Sequence, residues 1–123
     1  MSESLPDVVI LERRIEAAVL RRQVERFDDM VKYVVDVERG VIAIGGEMHS
    51  DAEQVLLESG SRQADLWGAN YYPGRGREAC IEFTALINIR PAAGNRGMEL
   101  QDPELRTRIQ EITFALVGEG EPL

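Results

Sequence analysis

The chain has 123 residues, 44% of them hydrophobic, with 22 Asp and Glu against 14 Lys and Arg, one His and one Cys. This is chain enough for one domain that buries roughly two thirds of its unfolded surface without a metal or a disulfide. A net charge of −8 disfavours nucleic acid as a partner, apolar runs of no more than four residues exclude a membrane-spanning helix, and a lone Cys80, which can form no internal disulfide, favours a reducing, cytoplasmic location.

Met1–Asp7 is acidic and has neither the basic nor the apolar region of a signal peptide. Val8–Leu11 is a short apolar run suited to a buried strand. From Arg13 to Asp28 the positions Ala17, Leu20, Val24 and Phe27 recur at three and four residues, which predicts an amphipathic helix. The period then drops to two: Val31, Tyr33, Val35 and Val37 alternate with Lys32, Asp36 and Glu38. Arg39-Gly40 offers a turn before Val41–Ile44, and together these segments predict a β-hairpin.

Ser50-Asp51-Ala52-Glu53 fits a capping box for a helix over 51–59, closed by Gly60. Leu66–Tyr72 predicts an aromatic-rich strand, in which Trp67, Tyr71 and Tyr72 belong to the core. Cys80–Arg90 alternates, with Leu86 interrupting its polar outer face, and predicts a long strand with Ile81, Phe83, Ala85, Ile87 and Ile89 on one face. Asp102-Pro103-Glu104 supplies an N-cap, an N1 proline and an acid matched to the helix dipole. Leu105, Ile109, Ile112 and Leu116 then form the buried stripe of a last helix, ended by Gly118. The order β-α-β-β-α-β-β-α predicts a single α+β domain with an antiparallel or mixed sheet and helices packed on one face. Its ordered core runs over about 7–117, with loose ends at 1–6 and 118–123.

Gly74-Arg75-Gly76-Arg77-Glu78-Ala79 matches the dinucleotide fingerprint only on paper, because a strand rather than a helix is expected after it. Glu47 and His49, two apart in an extended chain, project to one side, so the carboxylate could orient the imidazole as a general base. With a single His the zinc-hydrolase pattern fails at the ligand count, and no metal site is expected. The outer face of the long strand carries Glu82, Thr84, Asn88 and Arg90. Residues 90–97 then combine Arg90 and Arg96 with Gly94 and Asn95 in a loop able to hold a carboxylate or phosphate.

Ala43–His49, Gly60–Asn70 and Leu86–Arg96 together resemble a family of short bacterial proteins known only as a domain of unknown function, over about residues 8–117. The resemblance implies a bacterial cytoplasmic origin and brings no activity, cofactor or catalytic residue. On the residues alone, the expected site gathers His49 and Glu47 as catalytic candidates. Asn70, Glu82, Asn88, Arg90, Asn95 and Arg96 would bind a small anionic ligand beside them. The competing expectation is a homodimer or protein-binding module that uses a sheet edge or the aromatic strand.

Overall fold

The computed structural model describes residues 7–26 and 29–123. Its sheet is centred on the hairpin of β2 (Val31–Asp36) and β3 (Val41–Gly45), paired in antiparallel register from Tyr33 with Ile44 to Asp36 with Val41. Asp36 makes the turn: its Oδ1 accepts from the Glu38 and Arg39 amides at 2.9 and 2.8 Å. Its Oδ2 accepts from the Ser61 hydroxyl at 2.6 Å. β1 (Val8–Leu11) adds to β3, β4 (Leu66–Tyr71) to β2, and the two-residue β5 (Ile81–Glu82) to β4. The order is β1-β3-β2-β4-β5, and every pair is antiparallel.

Strand alternation gives the sheet two apolar faces, because β2, β3 and β4 are buried on both sides. Val31, Tyr33, Val35, Ile42, Ile44, Trp67 and Tyr71 meet α1 (Ala17–Arg26) and α3 (Pro103–Leu116) on one face. Val34, Val41, Ala43 and Leu66 meet Ala52 and Leu56 of α2 (His49–Glu58) on the other. The helices therefore cover both faces, a correction to the expected one-sided packing. Trp67 and Tyr71 are core residues, whereas Tyr72, expected with them, is only half-buried.

Local rules account for most of the boundaries. Asp102 caps α3 by accepting from the Glu104 and Leu105 amides. The end of α2 has the Schellman pattern, with Gly60 N–H donating to Leu57 and Ser61 N–H to Leu56. α1 starts later than expected, at Ala17, since the segment before it is tied to the end of α3 by Ile15 N–H donating to Leu116. Phe27 and Asp28 of the expected helix lie outside the described residues.

The largest departure is at 80–90. Only Ile81 and Glu82 form a ladder, and Leu86–Asn88 is a single 3-10 turn. Past β5 the edge of β4 is completed by side chains. Asn88 is fully buried; its Oδ1 accepts from Gly68 N–H at 2.8 Å and its Nδ2 donates to Gly68 carbonyl at 3.0 Å. Arg90 Nη2 donates to the Leu66 carbonyl at 2.6 Å. One amide and one guanidinium thus occupy the places a strand would fill.

The residues after α3, expected as a loose tail, form a clasp. Gly74 and Gly76 N–H both donate to the Gly120 carbonyl at 3.0 Å, and Gly120 N–H donates to the Tyr71 hydroxyl at 2.9 Å. The amides of the Gly-x-Gly loop thus hold a carbonyl of the same chain, which accounts for that motif structurally.

Candidate functional site

Gly45 and Gly46 have φ of +108° and +88°, which turns the chain sharply off β3. Asp51 Oδ2 then accepts from Met48 N–H at 3.0 Å, so α2 begins at His49, two residues before the expected start. Glu47 and His49 are consequently not neighbours on an extended strand. Glu47 is exposed, and among the described residues only its backbone carbonyl is engaged, by Lys32 Nζ at 2.6 Å. The pairing of Glu47 with the imidazole is not formed.

The imidazole turns instead onto β4. His49 Nε2 lies 2.9 Å from the Ala69 carbonyl and 2.8 Å from Asn70 Oδ1. Asn70 Nδ2 donates to Glu82 Oε1 at 2.7 Å and to the Thr84 carbonyl at 3.3 Å, and the Tyr72 hydroxyl donates to the same Glu82 oxygen at 3.1 Å. Donation therefore converges on Glu82, from Tyr72 on one side and from Asn70 on the other, with His49 Nε2 against the Asn70 oxygen. Burial holds the His49 pKa below its ordinary value, against the opposing pull of its hydrogen bonds to Ala69 and Asn70; the nearby charge of Lys32 depresses it further.

Beside this chain is a cavity of about 470 Å³ lined by Lys32, His49 and Asn70 and by the apolar Met48, Leu86, Ile87 and Met98, among others. Lys32 and Asn70 are register partners across β2 and β4. The position of His49 depends on a glycine: a Cβ on Gly68 would stand 2.6 Å from Ala85 Cβ and 3.1 Å from His49 Cδ2. Lys32 is the chain's one lysine and forms no salt bridge among the described residues. Leu86, Met48 and Met98 are 62%, 54% and 42% exposed, an apolar rim that the fold does not cover.

A family described as protein of unknown function (DUF5674) matches residues 9–116, from β1 to the last residue of α3. The chain belongs to this family. No curated protein and no solved structure matches it.

In this DUF5674 chain Asn88, Arg90 and Asn95, also expected at the site, serve the framework. Arg90 stacks on the Trp67 ring 4.5 Å from its centroid, donates to the Gln63 and Leu66 carbonyls and approaches Glu53 at 3.6 Å. It meets β4 at Leu66 whereas His49 meets it at Asn70, four residues or about 13 Å along the strand. Asn95 is buried; its Nδ2 donates to the Asn88, Gly97 and Glu99 carbonyls and its Oδ1 accepts from Gln101 N–H. Arg96 is exposed. Of the expected residues, Asn70 and Glu82 are those hydrogen-bonded into one network with His49, and the Arg90 guanidinium is engaged by Trp67, Gln63, Leu66 and Glu53.

The sequence reading missed Lys32, Tyr72, Met48 and Met98. The one mark that Lys32 carries in the sequence is that it is the sole lysine, since the alternation of β2 assigns it to the polar face. Met48 and Met98 carried none, since they reach the cavity from irregular segments.

Proposed function

We propose that the protein binds a small molecule with an apolar body and one anionic group, in the cavity between α2, β4 and the 84–98 segment. The observation that carries this reading is the pairing of opposites around one space: a lysine with no acidic partner among the described residues, against Met48, Leu86, Ile87 and Met98. A carboxylate would meet the Lys32 ammonium while its hydrocarbon part covers the apolar rim. The reading is one of binding, with His49 as a polar wall of the pocket. The location that fits it best is the bacterial cytoplasm, supported by the lone, buried Cys80.

The test is a thermal-shift and calorimetric series of straight and branched monocarboxylates of four to ten carbons, each beside its neutral amide. A ligand at about a hundred times its Kd stabilises by about 2.7 kcal/mol, which raises Tm by several degrees. Acids are expected to act and amides are not, and Lys32→Met should remove the effect. Equal action by acids and amides, or full retention in Lys32→Met, overturns the anionic group; a silent panel overturns the pocket. One observation favours a second reading: the apolar rim is also a surface on which a partner protein or a second copy could seat. A silent panel together with a dimer in light scattering that Leu86→Asp dissociates would select it.

A further inference from the structure

Resting on the carboxylate reading above, we infer that the pocket selects acids that also carry a hydrogen-bond donor next to the carboxylate, a hydroxy acid in the simplest case, and that the donor is received by Nδ1 of His49. The argument starts two residues away from the imidazole. Glu82 Oε1 and the Thr84 carbonyl are both acceptors, so the Asn70 side chain must present its NH2 to them and its oxygen to His49. Nε2 of His49 thus faces two oxygens, Asn70 Oδ1 and the Ala69 carbonyl, and must carry the ring proton. A neutral imidazole protonated at Nε2 has its lone pair on Nδ1. Nδ1 has no hydrogen-bond partner among the described residues, since both of the ring's bonds are on Nε2.

The ring's Nε2–Cδ2 edge lies against β4, with Cδ2 over Gly68. That leaves the Nδ1 edge for the cavity that His49 lines. Lys32 and Asn70 are directly opposed on neighbouring strands, where Cβ atoms stand about 5 Å apart. Lys32 also reaches the turn just before His49, through Glu47 carbonyl. Cation and lone pair therefore lie within one small molecule's span. A carboxylate on the first brings a hydroxyl on the adjoining carbon to the second. A ligand without that donor leaves a desolvated acceptor unpaired. Asn70 is in these terms a positioning residue, acting on the ligand through the tautomer it imposes.

The chain's one histidine makes the ring nitrogens a single, unambiguous signal in ¹⁵N NMR. Above pH 7 the spectrum should show Nε2 protonated and Nδ1 bare. A ring protonated mainly at Nδ1 overturns the inference while leaving the carboxylate reading intact. Two probes matched in their apolar body, 4-methylpentanoate and 2-hydroxy-4-methylpentanoate, are then compared by calorimetry. The hydroxy acid should bind about five- to tenfold tighter, the increment of one added hydrogen bond, and should move the Nδ1 resonance while Nε2 stays in place. His49→Phe should bring the two acids to equal affinity. Should that variant fail to fold, the Nδ1 response of the wild type to the hydroxy acid alone decides. Equal affinities in the wild type overturn the donor and spare the carboxylate reading; failure of both acids to bind overturns the two together.

Discussion

Replacing Asn88 by Ala would leave Gly68 with an unpaired N–H and an unpaired carbonyl inside the fold, and an interior polar group without a partner costs about 1–3 kcal/mol. The expected loss is about 3 kcal/mol, read as a lower urea midpoint. A destabilisation under about 1 kcal/mol would show that water takes over both bonds. Gly68 is itself critical, because a methyl group there meets Ala85 and the His49 ring. Gly68→Ala should cost about 1–3 kcal/mol and disturb the His49 ring signals. Pairing it with Ala85→Gly should cost less than the sum of the single changes, since one collision underlies both. His49 also makes stability depend on pH. Its pKa is lower folded than unfolded, so below about pH 6.5 the unfolded chain binds the extra proton and stability falls until the folded value is passed. Lys32 and Glu82 are the charged groups nearest the ring in effect, and they act on it in opposite senses. Between pH 5 and 6.5, above most carboxylate titrations, His49→Gln should flatten the slope of Tm against pH; an unchanged slope would assign it to other groups.

At the scale of elements, the loop-to-tail clasp is as specific as any strand pairing. Gly120 has φ of +81°, and a Cβ there would stand 2.5 Å from the Gly76 backbone. Gly120→Ala should therefore cost about 2 kcal/mol and speed hydrogen exchange at the Gly74 and Gly76 amides; normal protection of both would mean that the loop holds without the tail. The elements that the sequence announced are those whose signals are local. Asp102-Pro103 starts α3 by its own chemistry, Arg39-Gly40 sets a turn between the apolar segments of the 31–44 hairpin, and both appear as expected. The 80–90 segment alternates except at Leu86, yet its partners along β4 are supplied by the side chains of Asn88 and Arg90. Hydropathy does not register that substitution. Ala85 and Ile87 pack beside Gly68, on the α2 face of the sheet, while Ile81 and Phe83 join the other core. The candidate site was legible only at His49, Asn70 and Glu82. Joining them to Lys32 required the β2–β4 register, a pairing between residues nearly forty positions apart.

Across the whole molecule the two faces of the sheet draw on different lengths of chain. The residues buried beneath α2, Val8, Val34, Val41, Ala43, Ala52, Leu56 and Leu66, all precede residue 70, and Ile87 packs against them from later in the chain. The opposite core requires Ile109, Ile112 and Leu116, and it includes a buried hydrogen bond of 2.8 Å between Tyr33 Oη and Thr113 Oγ1, groups 80 positions apart. A chain emerging from the ribosome at about 5–20 residues per second can thus close the α2 side several seconds before the residues that cover Tyr33 exist. In that interval the surface beneath α2 has nearly all its buried residues, while the other, rich in Val, Ile and aromatic side chains, has α1 but not yet α3 to cover it. The last helix is the piece whose arrival ends this exposure, and chains interrupted ahead of it are the ones a chaperone would have to hold.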